Sequence, residues 1–394
     1  MTQILFDTPE FEPSPAAARA RLEAVRPDAY ARTRNRLDGA VTRLSPYITH
    51  GFLSLPQVHA ALSERHALPR DHKLVFELAW REYFRHVWWH DGDGILESFH
   101  EGPLPESAYA QPLPPDLERG ATGVPVVDRA VRQLVDTGWL HNHARMWLAS
   151  YAVHVRKLHW RTGADWMLGH LLDGDLASNH LSWQWVAGTG SHKPYLFNAE
   201  NVARYAPPDW HSPGTVIDTS YEQLDRIARS PRPAGVRAAP VSGPGTPATA
   251  AAHPGPGFSA PSAEVVRGRD VWVIHPWALA DPPADLPADA VRIALADAQW
   301  HARWPWSAAR WAFVATRMQA LCSRPGDGLW WGSGPELVLA LRAARSVRAV
   351  DDPHLGGLLG PFDPDPQPRL FDWPARRCGS FSQFWNKARL ITRD

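Results

Sequence analysis

Residues 229–266 read RSPRPAGVRAAPVSGPGTPATAAAHPGPGFSAPSAEVV, a run of Pro, Ala, Gly and Ser with almost no large apolar side chain. Such a segment cannot bury enough surface to offset the entropy of ordering its backbone, so it reads as a flexible linker. The chain on either side must then fold around cores of its own, residues 1–228 before it and 267–394 after it. At 394 residues there is enough chain for both.

The two parts differ in period. From about residue 15 to 228 apolar residues recur every three to four positions, with Pro or Gly between segments, which predicts helices. Beyond the linker the runs VWVIH (271–275), VRIALA (291–296), GLWWG (328–332) and SVRAV (346–350) predict strands, with helices over 306–321 and 335–345 between the later ones. Strands alternating with helices imply a parallel sheet. The expected fold class is therefore α + α/β, an all-helical domain followed by a small parallel, Rossmann-like α/β domain. No glycine-rich phosphate loop follows any of these strands.

Charge excludes no class of partner, because 41 Lys+Arg balance 41 Asp+Glu and any anion-binding surface must be local. Cys322 and Cys378 are the two cysteines, too few for a four-thiolate cluster or a disulfide framework. The opening MTQILFDTPEFEP lacks a leader pattern and no apolar run reaches spanning length. The expectation is a cytoplasmic monomer with no membrane partner. Tryptophan is the outlier, with 20 residues.

Three helical stretches carry chemistry at matching spacings. In VFELAWREYF, Glu77, Trp80, Arg81 and Phe84 stand at i, i+3, i+4 and i+7, which puts a carboxylate, an indole and a guanidinium on one face. In GWLHNHARMW, Asn142 and Met146 are four apart, with Arg145 one step round. In DGDLASNHLSWQWVAGTG, Asp175, Asn179 and Trp183 are successive i, i+4 neighbours, and the nearby acids Asp173 and Asp175 need a cation such as Arg145 against them. Each stretch by itself could equally be an amphipathic helix with its aromatics in the core. Together they suit a flat redox heteroaromatic, which needs donors, acceptors and aromatics close by. His141 and His143 do not share a helical face in the manner of a zinc site, and no metal is expected.

Read in order, TRLSPYITHGFLS, ELAWREYFRHV, TGVPVVDRAVRQLVDTGWLHNHARM, WRTGADW and DGDLASNHLSWQWVAGTG resemble the helical flavin domain of the DNA photolyase and cryptochrome family, from about Tyr30 to Tyr205. The resemblance implies FAD as cofactor. It counts Tyr30 among the cofactor-binding residues and places Thr42, Leu44 and Ser45 on the phosphate side, and Arg145, Asp173 and Asp175 on the ring and ribose side with Asn179 opposite the reactive ring nitrogen. It implies an electron relay through Trp183 and Trp160, with Tyr109 the nearest redox residue to the exit, since the family's outermost relay tryptophan has no counterpart. Glu77, Trp80, Asn142, Met146 and Trp185 match positions that contact a cyclobutane pyrimidine dimer, and Arg81, with Trp80, is expected to bind DNA at the lesion's phosphates. The implied partner is DNA containing pyrimidine dimers, and the implied activity is light-driven dimer repair. The alternative is a cryptochrome-like blue-light photoreceptor without repair.

Domain order departs from the family, whose α/β domain precedes the flavin domain. Here SAARWAFVATRMQAL, GDGLWWGSGPELVLALRAA and GSFSQFWNKARL resemble successive parts of that α/β domain, which implies a circular permutation across the linker. The same resemblance implies a possible second, antenna chromophore in the α/β part. The arginines and aspartate expected at its first strand are missing from VWVIHPWALADPP.

Overall fold

The computed structural model describes residues 10–234 and 253–391; the stretch 235–252 of the expected linker lies outside the described residues. The ends of that linker are packed, which narrows the flexible reading. The Ala234 N–H donates to the Val155 carbonyl at 2.9 Å, and Ser259 exchanges backbone hydrogen bonds with Leu329 and Trp331 beside the sheet. A helical turn, Ala263–Val266, follows, with Val266 fully buried. Small residues did not prevent docking because backbone groups, rather than side chains, make these contacts.

The first part is helical, as its period predicts, and four helices frame its centre: Lys73–Asp91, Asn142–Ser150, Trp160–His170 and Leu176–Ala187. Three of them begin on a histidine whose Nδ1 accepts a first-turn N–H: His72 from Leu74 at 3.1 Å, His141 from His143 at 3.1 Å and His159 from Arg161 at 3.2 Å. Such a cap works only while that nitrogen is unprotonated. The fourth, Leu176–Ala187, starts on Asp175 and stops at Gly188 in the left-handed region. Gly163 lets it approach its neighbour, because a Cβ there would sit 2.4 Å from the Trp183 ring.

The second part is a four-stranded parallel sheet of β1 (Asp270–Ile274), β2 (Val291–Asp297), β3 (Gly328–Gly332) and β4 (Ser346–Arg348), in the order β3-β2-β1-β4. The helices Ala308–Leu321 and Gly334–Leu341 make the later crossovers. Strand order reverses between β1 and β4, the place where open parallel sheets leave a crevice at their carboxyl ends.

The two parts share a core. One hydrophobic cluster runs from Leu44, Tyr47 and Phe52 through Val273, Ile293 and Phe313, and the Tyr47 and Phe313 rings lie 6.0 Å apart. His50 bridges them, with Nε2 2.7 Å from the Leu172 carbonyl and Nδ1 against that of Pro276. The segment after the sheet returns to the long helix, where buried Glu82 accepts from the Leu370 N–H at 2.6 Å, the Phe371 N–H at 3.1 Å and Trp373 Nε1 at 2.7 Å.

Candidate functional site

A cavity of about 290 Å³ opens among these helices, at the lower end of the size range of small-molecule sites. The long helix contributes Glu77, Trp80, Arg81 and Phe84, the four residues whose spacing predicted a shared face. Asn142, Arg145 and Met146 line it from the next helix, where Asn142 Nδ2 lies 3.5 Å from Met146 Sδ. Asp173, Asp175, Asn179 and Trp183 line it from the DGDLASNHLSW stretch, and Tyr30, Thr42 and Ser45 from the N-terminal segment.

The two buried acids are held as anions by separate cations. Asp173 receives Arg145 Nη2 on both oxygens, at 3.0 and 2.8 Å. Burial would raise its pKa, but Arg145 and then Ser45 and Arg81 outweigh burial and hold it below the usual carboxylate range. Asp175 takes Arg85 on Oδ2, from Nε at 3.1 Å and Nη2 at 2.8 Å, while Oδ1 caps its helix by accepting from the Ser178 N–H at 2.9 Å. Against the penalty of burial, Arg85 and Arg81 depress the Asp175 pKa well below normal. Arg85 was not singled out from the sequence. The signal existed, since Arg85 stands at i+4 from Arg81 on the same helical face.

Glu77 pairs with Arg34 Nη1 at 2.7 Å. Burial is the larger influence and leaves its carboxyl above the ordinary value although Arg34 and Lys73 pull it down. Asn179 Nδ2 donates to the Ala164 carbonyl at 2.8 Å, which fixes the amide's orientation at the cavity wall. Trp183 Nε1 is buried without a hydrogen-bond partner among the described residues.

Other expected residues fall elsewhere. Leu44 is a core residue at 1% exposure, because Arg43 adopts φ 52° and turns the chain so that Thr42 and Ser45, not Leu44, line the cavity. Arg81, expected at the lesion's phosphates, turns toward the cavity floor, with Nη2 3.6 Å from Asp175 and donating to Thr49 Oγ1 at 3.1 Å. Trp80 spends one face stacking on Phe381, at 3.9 Å and 7°. Trp185 stands outside the cavity, 40% exposed and tilted against Tyr195, because its two-residue spacing from Trp183 carries it to another face of the helix. Trp160 is buried in the same hydrophobic cluster as Trp183 and donates Nε1 to Ser98 Oγ at 2.9 Å. Tyr109 packs on that cluster from its edge, and its neighbour Ala110 pairs with Lys157 and His159 just ahead of Trp160.

A second cavity of about 480 Å³ lies at the crevice beside β1 and β4, lined by Trp272, Trp277, Val350 and Asp351 from the sheet part and by Arg85 and Trp89 from the long helix. Ile48 and Arg81 line both cavities. Among the described residues no group of three or more His, Cys, Asp or Glu side chains is placed to hold a metal ion, and no helix is long and apolar enough to cross a membrane.

Residues 74–211 match the family described as the FAD binding domain of DNA photolyase. Among curated relatives, a deoxyribodipyrimidine photo-lyase of Thermus thermophilus is 40% identical over 200 residues, 49% of this chain and 46% of that protein. One from Synechococcus sp. is 35% identical over 209 residues, 49% of this chain and 43% of that protein. The matched region thus spans less than half the length of these relatives. A solved cryptochrome from Synechocystis sp. is 30% identical with a TM-score of 0.45, covering 52% of this chain and 46% of that one.

Proposed function

The chain carries a FAD-binding domain of the DNA photolyase family, and from that premise we propose that it is a light-driven flavoenzyme that repairs cyclobutane pyrimidine dimers in DNA. One observation carries the reading. A single cavity collects Glu77, Trp80, Asn142 and Met146 with Arg145, Asp173, Asp175 and Asn179. The first group suits a pyrimidine dimer's polar edges and apolar faces, and the second suits a flavin. FAD would supply light absorption and the transferable electron.

The residues fit that group. The hydroxyls of Thr42 and Ser45 offer donors to its phosphate side, Arg145 and Asp173 form a fixed ion pair for its ring side, and Asn179 presents an oriented amide. A dimer must leave the base stack to reach such a cavity, and unstacking costs least at a damaged step. The transferable electron, lent to the dimer, would allow both cyclobutane C–C bonds to open and would then be recovered, so the reaction would involve no net oxidation. Glu77 acts as hydrogen-bond donor to the charged dimer once protonated, which burial favours and Arg34 opposes. The helical-first order supports our reading of the α/β part as the family's light-harvesting domain in permuted position. The second cavity is our candidate site for an antenna chromophore.

The competing reading is a blue-light sensor, and the Arg34–Glu77 ion pair favours it in so far as it opposes protonation of the carboxyl against the larger effect of burial. The test is illumination of the reduced protein with a dimer-containing oligonucleotide. Repair is expected, and Glu77→Ala should lower repair per absorbed photon by about tenfold to a hundredfold at unchanged flavin content. A yellow protein that repairs nothing under strongly reducing light makes the sensor the better account.

A further inference from the structure

The helix bearing Asn179 and Trp183 begins on residues from both parts of the chain. Its first N–H, that of Leu176, donates to His354 Nε2 at 3.1 Å. His354 comes from the turn after β4 and is buried, as is Asp352 beside it. An amide can only donate, so Nε2 must be the unprotonated nitrogen, and Nδ1–H donates to Asp352 Oδ1 at 2.5 Å. Trp277 stacks on the imidazole at 4.5 Å and 4°, and Trp88 meets it edge-on at 4.8 Å, so the ring is held in that orientation.

The other oxygen of Asp352 continues the chain of contacts. Oδ2 accepts from Arg85 Nη1 at 3.1 Å and from Gln367 Nε2 at 2.5 Å. The opposite edge of the same guanidinium holds Asp175 Oδ2. Arg85 thus sits between two buried carboxylates, one from each part. The first turn of the helix has its donors divided the same way: Asp175 takes Ser178 and His354 takes Leu176. Helix N-termini leave such N–H groups unsatisfied unless something outside the helix accepts them.

We propose that His354 and Asp352 are positioning residues for the flavin cavity: the sheet part completes the N-terminal cap of helix Leu176–Ala187 and, through Arg85, sets the Asp175 carboxylate, so the cavity takes its binding shape only with the sheet part docked. The inference rests on the flavin reading for its ligand, and on geometry alone for the cap. It makes FAD affinity depend on residues more than a hundred positions beyond the matched flavin domain.

The test uses the full chain with His354→Leu, His354→Gln and Asp352→Asn. Two readouts apply: amide hydrogen exchange across helix Leu176–Ala187 in protein without flavin, and FAD affinity by flavin fluorescence. His354→Leu should leave the Leu176 N–H without an acceptor, raising exchange at the helix start and weakening FAD binding, each by roughly tenfold or more. Gln offers an oxygen to Leu176 and an amide to Asp352, so His354→Gln should recover most of both. Asp352→Asn should weaken FAD binding through Arg85. Wild-type exchange and affinity in His354→Leu would overturn the proposal. If His354→Leu fails to fold, a His354→Gln protein that folds but exchanges quickly and binds FAD poorly overturns it as well. If wild type binds no FAD while His354→Leu still loosens the helix, the flavin reading falls and the capping role stands.

Discussion

Trp160 and Trp183, in the helical part, carry no Arg or Lys over their rings among the described residues, whereas Trp304 and Trp306, beside the sheet, each lie under a guanidinium. Arg303 sits 4.2 Å from the Trp304 ring centre and Arg310 3.7 Å from that of Trp306. The second group is the denser one: Trp306 is 4.8 Å from Trp311, 5.7 Å from Trp300 and 5.8 Å from Trp277. Packing alone would therefore point to the sheet-side cluster as the electron path. Electrostatics points the other way, because a fixed positive charge against an indole face opposes loss of an electron from that ring. Aromatic density and redox availability are separate properties here, and the position of arginine distinguishes them.

Arg310, like Lys157, is also a buried cation with no carboxylate partner in contact among the described residues. It donates to the backbone carbonyls of Leu168 at 2.8 Å and Gly174 at 2.6 Å, and burial lowers its pKa to about 9. Gly174 lies between the two acids of the cavity, and a Cβ there would meet Arg310 at 2.5 Å. The largest effect should follow from removing this residue. Arg310→Met leaves two buried carbonyls unpaired and should cost about 3 kcal/mol of stability, read by denaturant unfolding. It also uncovers Trp306. A loss below about 0.5 kcal/mol would mean the guanidinium is dispensable and the contrast has no structural basis.

Next in size is the redox contrast itself. Trp183→Phe should slow photoreduction of bound oxidised FAD by about tenfold or more, since phenylalanine is much harder to oxidise, while Trp306→Phe should change it by less than about twofold. Flavin bleaching under blue light measures both. Equal slowing in the two variants would break the comparison, and slowing by Trp306→Phe only in the Arg310→Met background would sharpen it.

Smallest of the three at neutral pH is an effect that appears only on acidification. His141 and His154 are buried and neutral, each with burial as the main cause of a pKa lowered to about 4. His154 leans Nε2 on the Val186 carbonyl at 2.8 Å, and His141 accepts a helix N–H. The unfolded chain takes up protons near pH 6.5 and the folded chain does not. Stability should thus hold above pH 6.5 and fall between there and pH 4, by up to about 1.4 kcal/mol per pH unit for each histidine. Asp173 and Asp175, with depressed values, lose their contribution only at lower pH. His141→Asn keeps a capping oxygen and should flatten the fall; an unchanged pH profile would remove His141 from the account.

The sequence carried the local rules a long way. Short apolar runs located the four strands of the parallel sheet, though not the short antiparallel pair Phe371–Asp372 and Arg389–Leu390, and the i, i+3, i+4, i+7 spacing put Glu77, Trp80, Arg81 and Phe84 on one face, because side-chain direction repeats with backbone geometry whatever surrounds it. The motif DGDLASNHLSW marked the cavity floor for the same reason. Its partner choices were not legible. Asp175 is held by Arg85, 90 positions away, and Arg85 by Asp352, 267 positions away, and no spacing rule operates over such distances. That the Leu44 and Trp185 side chains lie outside the cavity lining follows from a single left-handed residue and a change of helical face, both small in sequence and large in direction. Which side chains form and face the cavity's helices was set by the sequence at short range. Which charges neutralise each other, which indoles sit under a cation and what caps the floor helix were decided only when the two parts packed together, because those energies depend on distances and burial that the folded core alone fixes.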